Sequence, residues 1–559
     1  MINIQPQYLS LADLLAKRLF RIPEYQRAYS WGKYQREDLF SDIEKTHSKG
    51  EDAGHFMAAV VGLRRERQRL GTDDYNVVEV VDGQQRLTTL IILFKAIELG
   101  LDKSDKAQGK LGGELGELLV KAEGNELLLL QTNHDSSHHF AEFLRNGKYA
   151  SSTDAKTVAD KEILAAIADC KTFADRWKKR SGDLTSLAAL LKNRLFFLLH
   201  EIDDEKAVYT VFEVLNSRGL IVSWMDRLKS ILMGAAFELK NVNQPGIIAE
   251  LHNIWRDIYS VIGLRQGLNT EALRFAATLR AKRQQNRPFS EEDSVEQLRG
   301  DAVDAKSIVN VARWLLHVTR ACDDVAADVR INAVARISQA RLLAVAIRLR
   351  DDLTGAERQA LLARWEKVTF RIYGMLSNDA RTRVGEYIPL AWQVVNEKLP
   401  AAKIDAHIIV IGVGFPIEGA IKALQGTNCY SGWENELRYL LFRYEEHLAQ
   451  QAKQKFSNEQ WERIWNASAA DSIEHIFPQR AASEENKHRL GNLVLLPPKL
   501  NSQLQDRPPE EKVESYRKTG LFIAGEVADL IDRQGWNEKA IIKREQTILD
   551  WARIEWDDL

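Results

Sequence analysis

The stretch DSIEHIFPQ, followed by HRLGNLVLLPPKLNSQLQD, sets a carboxylate and an imidazole side by side at Glu474 and His475, with an amide oxygen downstream at Asn501. Hydrolysis of a phosphodiester needs a base to activate water, a hard cation on the scissile phosphate and a rigid holder for both. His475 can be the base, because a neutral imidazole titrates near working pH. Glu474 and Asn501 offer oxygen ligands, which suit Mg²⁺ or Mn²⁺ rather than zinc, with water and phosphate completing the shell. His488, just ahead of the LGNL run, reads equally as a second site histidine or as a surface residue.

A second set of residues points to phosphate chemistry. In VVEVVDGQQRLTTL a β-branched run ends at Asp82-Gly83 and a helix begins at Gln84-Gln85-Arg86. Helix N-termini present unpaired N–H groups and partial positive charge, which favour phosphate. Gly83 allows close backbone approach, and Arg86 can add a bidentate, permanently charged contact. Asp82 suits a Mg²⁺ ion or a sugar hydroxyl rather than a bare phosphate. The chain has no GxxxxGK[ST], so this is not a P-loop. Two further clusters accompany it. RIPEYQRAYSW supplies Gln26 and Arg27 after a strand end, with Tyr25, Tyr29 and Trp31 free to stack on a base or to pack. VFEVLNSRGLIVSWMDRLKS supplies a polar turn at Asn216, Arg218 and Gly219, then Asp226 and Lys229 on one helix face.

These residues need elements to position them. Ser10 can cap a helix through LADLLAKR, and FRIP reads as a strand ended by Pro23. A helix over about 33–48 precedes two extended runs, FMAAVVGL and YNVVEVV, and LTTLIILFKAIEL is apolar nearly all round, as a buried helix is. LFFLLHEI, 195–202, is a further strand, followed by a helix at AVYTVFEVL. From about 230 to 455 helix follows helix, as in a bundle, with no repeat of fixed period. SIEHIFPQ and LGNLVLLP then read as short strands, and the last helix runs from about 537 to 556. The expected organisation is α+β and predominantly helical: 1–240, 241–430 as a helical linking region, and 431–559.

Composition excludes several classes. The three cysteines, Cys170, Cys322 and Cys429, form no CxxC pair, which argues against a zinc site or a disulfide framework and for reduced thiols. No run of about 18 apolar residues exists and MINIQPQYLS has no apolar signal core, so the expectation is a cytoplasmic protein with no membrane partner. The net charge of −2 does not exclude DNA, because arginines concentrate at 280–287 and 330–383. His134, His138 and His139 lack a companion Cys or Glu, and this segment reads as a helix cap rather than a metal site. Trp433, Trp461 and Trp465 read as core anchors.

Taken together, IPxYQRxYxW, DGQQRLTTL and FxxxNxxGxxxxxxDxxK resemble the N-terminal domain of the GmrSD-type modification-dependent restriction enzymes, over roughly the first 240 residues. EHIxPQ and LGNLxLLP resemble the nuclease half of the same family and, more widely, HNH nucleases, whose two asparagines are spaced like Asn492 and Asn501. The first resemblance implies a ParB/sulfiredoxin-like fold that binds and hydrolyses a nucleoside triphosphate at Asp82, Gly83, Gln84, Gln85 and Arg86, with Gln26, Arg27 and Asn216 nearby. The second implies a ββα-metal domain in which His475 is the general base, Glu474 and Asn501 hold Mg²⁺ or Mn²⁺, Asn492 braces the loop carrying His475, and Lys512 meets phosphate. The family's usual DLxK is Asp226-Arg227-Leu228-Lys229 here. The implied activity is nucleotide-regulated cleavage or nicking of modified phage DNA in anti-phage defence. A homodimer is left open. Two rivals are a nonspecific DNA or RNA nuclease toxin without nucleotide control, and a modification sensor with an inactive nuclease domain.

Overall fold

The computed structural model describes all residues except 1–4, 24–25, 27, 51–52, 122–125, 132–136, 204–222, 240–242, 266, 335–336, 455–457, 481 and 558–559. Arg27, Asn216, His134 and the AVYTVFEVL segment therefore lie outside the described residues. The chain divides into two compact units: Met1–Arg274 with Ser290–Arg320, and Phe275–Phe289 with Ala321–Leu559. The stretch 241–430, expected as a separate linking region, is shared between the two, because its helices bury their apolar stripes within one unit or the other.

The first unit is built on a six-stranded mixed sheet. Its strands are β1 (Gln5–Ser10), β2 (Arg18–Ile22), β3 (His55–Leu70), β4 (Asp73–Asp82), β5 (Leu129–Gln131) and β6 (Leu195–Ile202), in the order β1-β6-β3-β4-β2-β5. β2 runs parallel to β4 and β5, and β3 parallel to β6, whereas β1–β6 and β3–β4 are antiparallel. Ser10 caps the Leu11–Leu15 helix by accepting from the Asp13 N–H. The helix Gln84–Gly100 leaves the end of β4 and is buried along most of its length. It packs on the helices Lys106–Leu119 and Val158–Ser181. A non-amphipathic helix is stable only when surrounded, and here Leu90, Ile91, Leu93 and Phe94 all sit at zero exposure in the core.

Among the described residues the second unit is helical apart from one hairpin, β7 (Ile473–His475) and β8 (Leu493–Leu495), whose register pairs His475 with Leu493 and Glu474 with Val494. Three-residue strands cannot stand alone, and every residue of both strands is buried. The helix Pro498–Leu504 follows β8, and Pro509–Lys518 packs on Phe522–Gln534. The helix Glu538–Glu555 closes over the turn Leu490–Asn492 that enters β8. No single helix among the described residues is long and apolar enough to cross a membrane.

Gly491 lies where this last helix presses on the hairpin. A Cβ there would stand 2.0 Å from the Ile541 carbonyl oxygen and 2.8 Å from the Glu545 nitrogen, both backbone atoms of the helix. Backbone cannot rotate away as a flexible side chain can, so the helix would have to lift. Gly491→Ala should therefore destabilise the second unit by about 1–3 kcal/mol or more, seen as a lowered melting temperature. An unchanged melting temperature would contradict this packing.

Candidate active site

Three elements of the second unit converge on one open cleft of about 1110 Å³. β7 supplies Glu474 and His475, the Pro498–Leu504 helix supplies Asn501, and Tyr430 enters from upstream. Its walls carry both signs of charge: Arg480 pairs with Asp506 at 3.2 Å and Lys487 with Glu484 at 3.6 Å, while Lys499 and Asp471 add one of each. The structure thus brings Glu474, His475 and Asn501 together.

Each side chain is held from behind. The Asn501 Nδ2 donates to the Asp471 and Ile473 carbonyls at 2.9 and 3.1 Å, which orients the amide and leaves its oxygen as the remaining acceptor. Asn492 is fully buried at the mouth of β8. Its Oδ1 accepts from the Phe477 N–H at 2.8 Å, and its Nδ2 donates to the Phe477 and Lys487 carbonyls. It ties both ends of the loop between the strands, the loop that follows His475.

Lys512 is placed otherwise than at a phosphate. It has zero exposure, and its Nζ donates to Glu474 Oε1 at 2.6 Å and to the carbonyls of His475 and Ile476 at 2.9 and 3.2 Å. An ammonium has three protons, and all three are engaged inside the protein. Lys512 is a brace under β7. Burial raises the Glu474 carboxyl above its ordinary range, and the adjacent Lys512 ammonium opposes that shift. Tyr516 also reaches Oε1, so both contacts fall on one carboxylate oxygen.

His475 is 6 % exposed. Its Nδ1 faces the Gln479 Nε2 at 3.1 Å and its Nε2 faces the His488 Nδ1 at 2.9 Å. An amide N–H donating to Nδ1 assigns the proton of His475 to Nε2, which then donates to His488. Tyr430 stacks on the His488 ring, centroids 5.3 Å apart, and meets the His475 ring edge-on at 4.8 Å. The Cys429 N–H donates to the His488 carbonyl at 2.9 Å, which fixes this contact. Burial first, then the positive potential of His488, Lys512 and Lys487, lowers the pKa of His475 to about 3. Tyr430 and Gln479 were not singled out from the sequence. Tyr430 has no motif around it, and only the chain's return brings it to His488.

The donor set fits a hard divalent cation at two points. A carboxylate and an oriented amide oxygen face one cleft, and Mg²⁺ is commonly held by few protein oxygens with water and phosphate filling the shell. Among the described residues no group of three or more His, Cys, Asp or Glu side chains is placed to hold a metal.

In the first unit, Gly83 stands between β4 and the Gln84–Gly100 helix at φ +91°, where a Cβ would lie 3.2 Å from the Ala59 carbonyl oxygen. Asp82 Oδ1 accepts from the Gly83 N–H at 2.8 Å. Gln26, Gln84 and Gln85 are buried. Gln26 donates to the Val81 carbonyl and accepts from Gln84, while Gln85 accepts from the Ser30 and Trp31 N–H groups and donates to the Ala28 carbonyl. Their amides hold Gln26, Ala28, Ser30 and Trp31 at the helix start. Tyr29 and Trp31 are buried too, so they pack. Arg86 is different: its guanidinium lies 5.5 Å from the Trp31 ring centroid and makes no hydrogen bond among the described residues. Burial lowers its pKa, partly offset by Asp82 and Asp42. Lys229 approaches the Gln26 carbonyl at 3.4 Å.

The depressed pKa of His475 has a sign for stability. The folded chain stays unprotonated at His475 down to about pH 3, whereas the unfolded imidazole takes a proton near pH 6.5. Stability from this group is therefore full above about pH 6.5 and is lost as pH falls from there toward 3, at up to about 1.4 kcal/mol per pH unit. The melting temperature of the wild type should fall more between pH 7 and pH 5 than that of His475→Gln. Equal falls would contradict the buried neutral imidazole.

Residues 11–233 match the family model of the GmrSD restriction endonuclease N-terminal domain. Residues 417–551 match that of the GmrSD restriction endonuclease C-terminal domain. No curated protein matches the chain at a significant level. The strand-turn-helix around Gly83 lies in the first match and the Glu474–His475–Asn501 cleft in the second, so the chain belongs to the GmrSD restriction endonuclease family, nucleases of restriction defence whose substrate is DNA.

Proposed function

We propose that this chain is a nucleotide-regulated, metal-dependent DNA endonuclease of anti-phage defence that cuts or nicks modified foreign DNA in the cytoplasm. One observation carries the nuclease reading: a neutral buried imidazole, a carboxylate and an oriented amide oxygen share one open cleft. The hairpin followed by the Pro498–Leu504 helix supports an HNH, ββα-metal reading of this region. The mixed sheet with its helix start at Gly83 supports a ParB-like nucleotide domain.

In this reading His475 accepts the proton of the attacking water at Nδ1, the nitrogen that faces Gln479. Its Nε2–H donates to His488, which holds the ring and its tautomer. An entering phosphodiester brings negative charge into the cleft and raises the proton affinity of His475 from its low resting value. Mg²⁺ or Mn²⁺, held by Glu474 and Asn501, would supply Lewis-acid stabilisation of the phosphate and leaving oxygen. Lys512 opposes the upward pull of burial on the Glu474 carboxyl and fixes its position. Lys499, at the cleft wall and without an ion-pair partner among the described residues, offers a contact to the DNA backbone.

Nucleotide control rests on Arg86. Among the described residues its donors have no hydrogen-bond partner, and they stand beside a helix N-terminus, the arrangement that receives a phosphate. A switch requires that the nucleotide bind two states of the protein unequally.

Two outcomes test this. On plasmid and on modified phage DNA, His475→Ala should lose about 10²–10⁴-fold in cleavage rate; full cleavage by this variant would overturn the assignment. Arg86→Ala should abolish nucleoside triphosphate hydrolysis and change how cleavage responds to added nucleotide. If hydrolysis is lost while cleavage, DNA choice and phage protection are unchanged, the nucleotide domain exerts no control.

A further inference from the structure

The second unit holds another cavity, of about 550 Å³, which none of the residues discussed so far lines. One face of the Gly355–Thr369 helix forms a wall, through Arg358, Leu362, Glu366 and Lys367 at helical spacing. Arg330, Arg348 and Arg443 approach from other helices. Five cationic side chains line the space against three carboxylates, Asp328, Glu366 and Glu555.

The pairing inside the cavity is uneven. Arg443 is saturated by Glu366, Glu446 and Glu555. Arg330 bonds Glu446 at 2.7 Å and Arg348 bonds Asp328 at 3.1 Å. Glu366 is itself saturated, since the Tyr439 hydroxyl and Trp556 indole donate to its other oxygen. Among the described residues, two cations have no carboxylate partner. Arg358 makes no side-chain hydrogen bond, and Lys367 reaches only the Asp557 carbonyl, at 3.2 Å. A carbonyl oxygen does not neutralise an ammonium. The cavity thus carries two cations without a carboxylate partner, in a partly enclosed space where screening by water is weakened.

A free helix face explains isolated exposed cations, but it does not explain two that line one cavity beside three paired arginines. The volume lies in the range of small-molecule sites. Ile331, Leu362 and Ala363 give it an apolar wall. A dianionic phosphate meets the charge, because guanidinium and ammonium groups make charge-assisted hydrogen bonds to its oxygens. The apolar wall takes an organic portion. We infer that the cavity bounded by Arg330, Arg348, Arg358 and Lys367 is a binding site for a phosphate-bearing small molecule of nucleotide size, separate from the site at Arg86 and from the cleft at His475.

The test uses full-length protein carrying Arg86→Ala, which removes the first-unit contact, in EDTA, which removes metal from the cleft. Inorganic pyrophosphate is the probe. Calorimetric titration should show binding that weakens by about tenfold or more in Arg358→Ala and again in Lys367→Ala, the loss of a charge-assisted contact in each. Arg358→Lys should keep most of the affinity. Hydrogen exchange should slow in 338–348 and 355–369 when pyrophosphate is added, and not in the Arg358→Ala/Lys367→Ala pair, with melting temperature reporting that the variants are folded. No binding to the Arg86→Ala protein, an affinity in either alanine variant equal to that of the Arg86→Ala parent, or protection elsewhere in the chain would each overturn the inference. If instead Arg86→Ala leaves nucleotide hydrolysis intact, the nucleotide-domain reading fails while this site still stands or falls by Arg358 and Lys367.

Discussion

The buried ion pair between Lys512 and Glu474 is the constraint on which the candidate cleft at His475 depends. Both side chains are almost fully out of water. Desolvating two charges costs several kcal/mol, and a well-packed apolar pair would serve stability as well. What an apolar pair could not do is direct an ammonium at three acceptors at once. Lys512 holds the Glu474 carboxylate and the His475 and Ile476 carbonyls. Those are the residues at which β7 ends and its loop begins. The pair therefore sets where the carboxylate sits and where the strand carrying the imidazole stops. Removing Lys512 alone would leave a buried, unpaired carboxylate, a loss of about 3–5 kcal/mol.

From that anchor the rest of the region follows as a set of ties to a hairpin too short to hold itself. Asn492 joins Phe477 to Lys487 across the loop. The Arg544 guanidinium donates to the Gly491 and Leu493 carbonyls from the last helix, and Glu545 receives Arg489. Gly491 has no side chain because that helix lies against it. The rigid holder required for hydrolysis is made by helices, with the strands supplying direction. The first unit uses the same device on a different scale: buried glutamines pin a loop to the start of a helix and leave one arginine free.

Much of this was legible in the sequence where the signal is local. The turn at Asp82-Gly83 reads from a β-branched run meeting a glycine, and the Lys33–Ser48 and Gln84–Gly100 helices and the Leu195–Ile202 strand lie where periodicity puts them. Glu474, His475 and Asn501 were found as a group because their chemistry is scarce and their spacing short. The rest depends on contacts between distant residues. Nothing around Tyr430 announces a ring stacked on His488. Lys512 lies in a polar helix, EEKVESYRK, where the resemblance implies a phosphate contact, whereas the fold buries it with Tyr516 on one face of that helix. Gln26, Gln84 and Gln85 have the polar chemistry of ligands, yet they serve as internal braces. The sharing of the helical middle between two units is likewise a property of packing, to which a helical pattern is blind.

The account assigns different work to neighbouring residues: Glu474 and Asn501 hold a cation and His475 moves a proton. Titration of Mn²⁺ into the full-length protein with a short DNA duplex, followed by electron paramagnetic resonance, separates these roles without relying on turnover. The wild type and His475→Ala should each bind one Mn²⁺ with similar affinity, and Glu474→Gln should weaken it at least tenfold. Loss of the ion in His475→Ala together with full binding in Glu474→Gln would contradict the account.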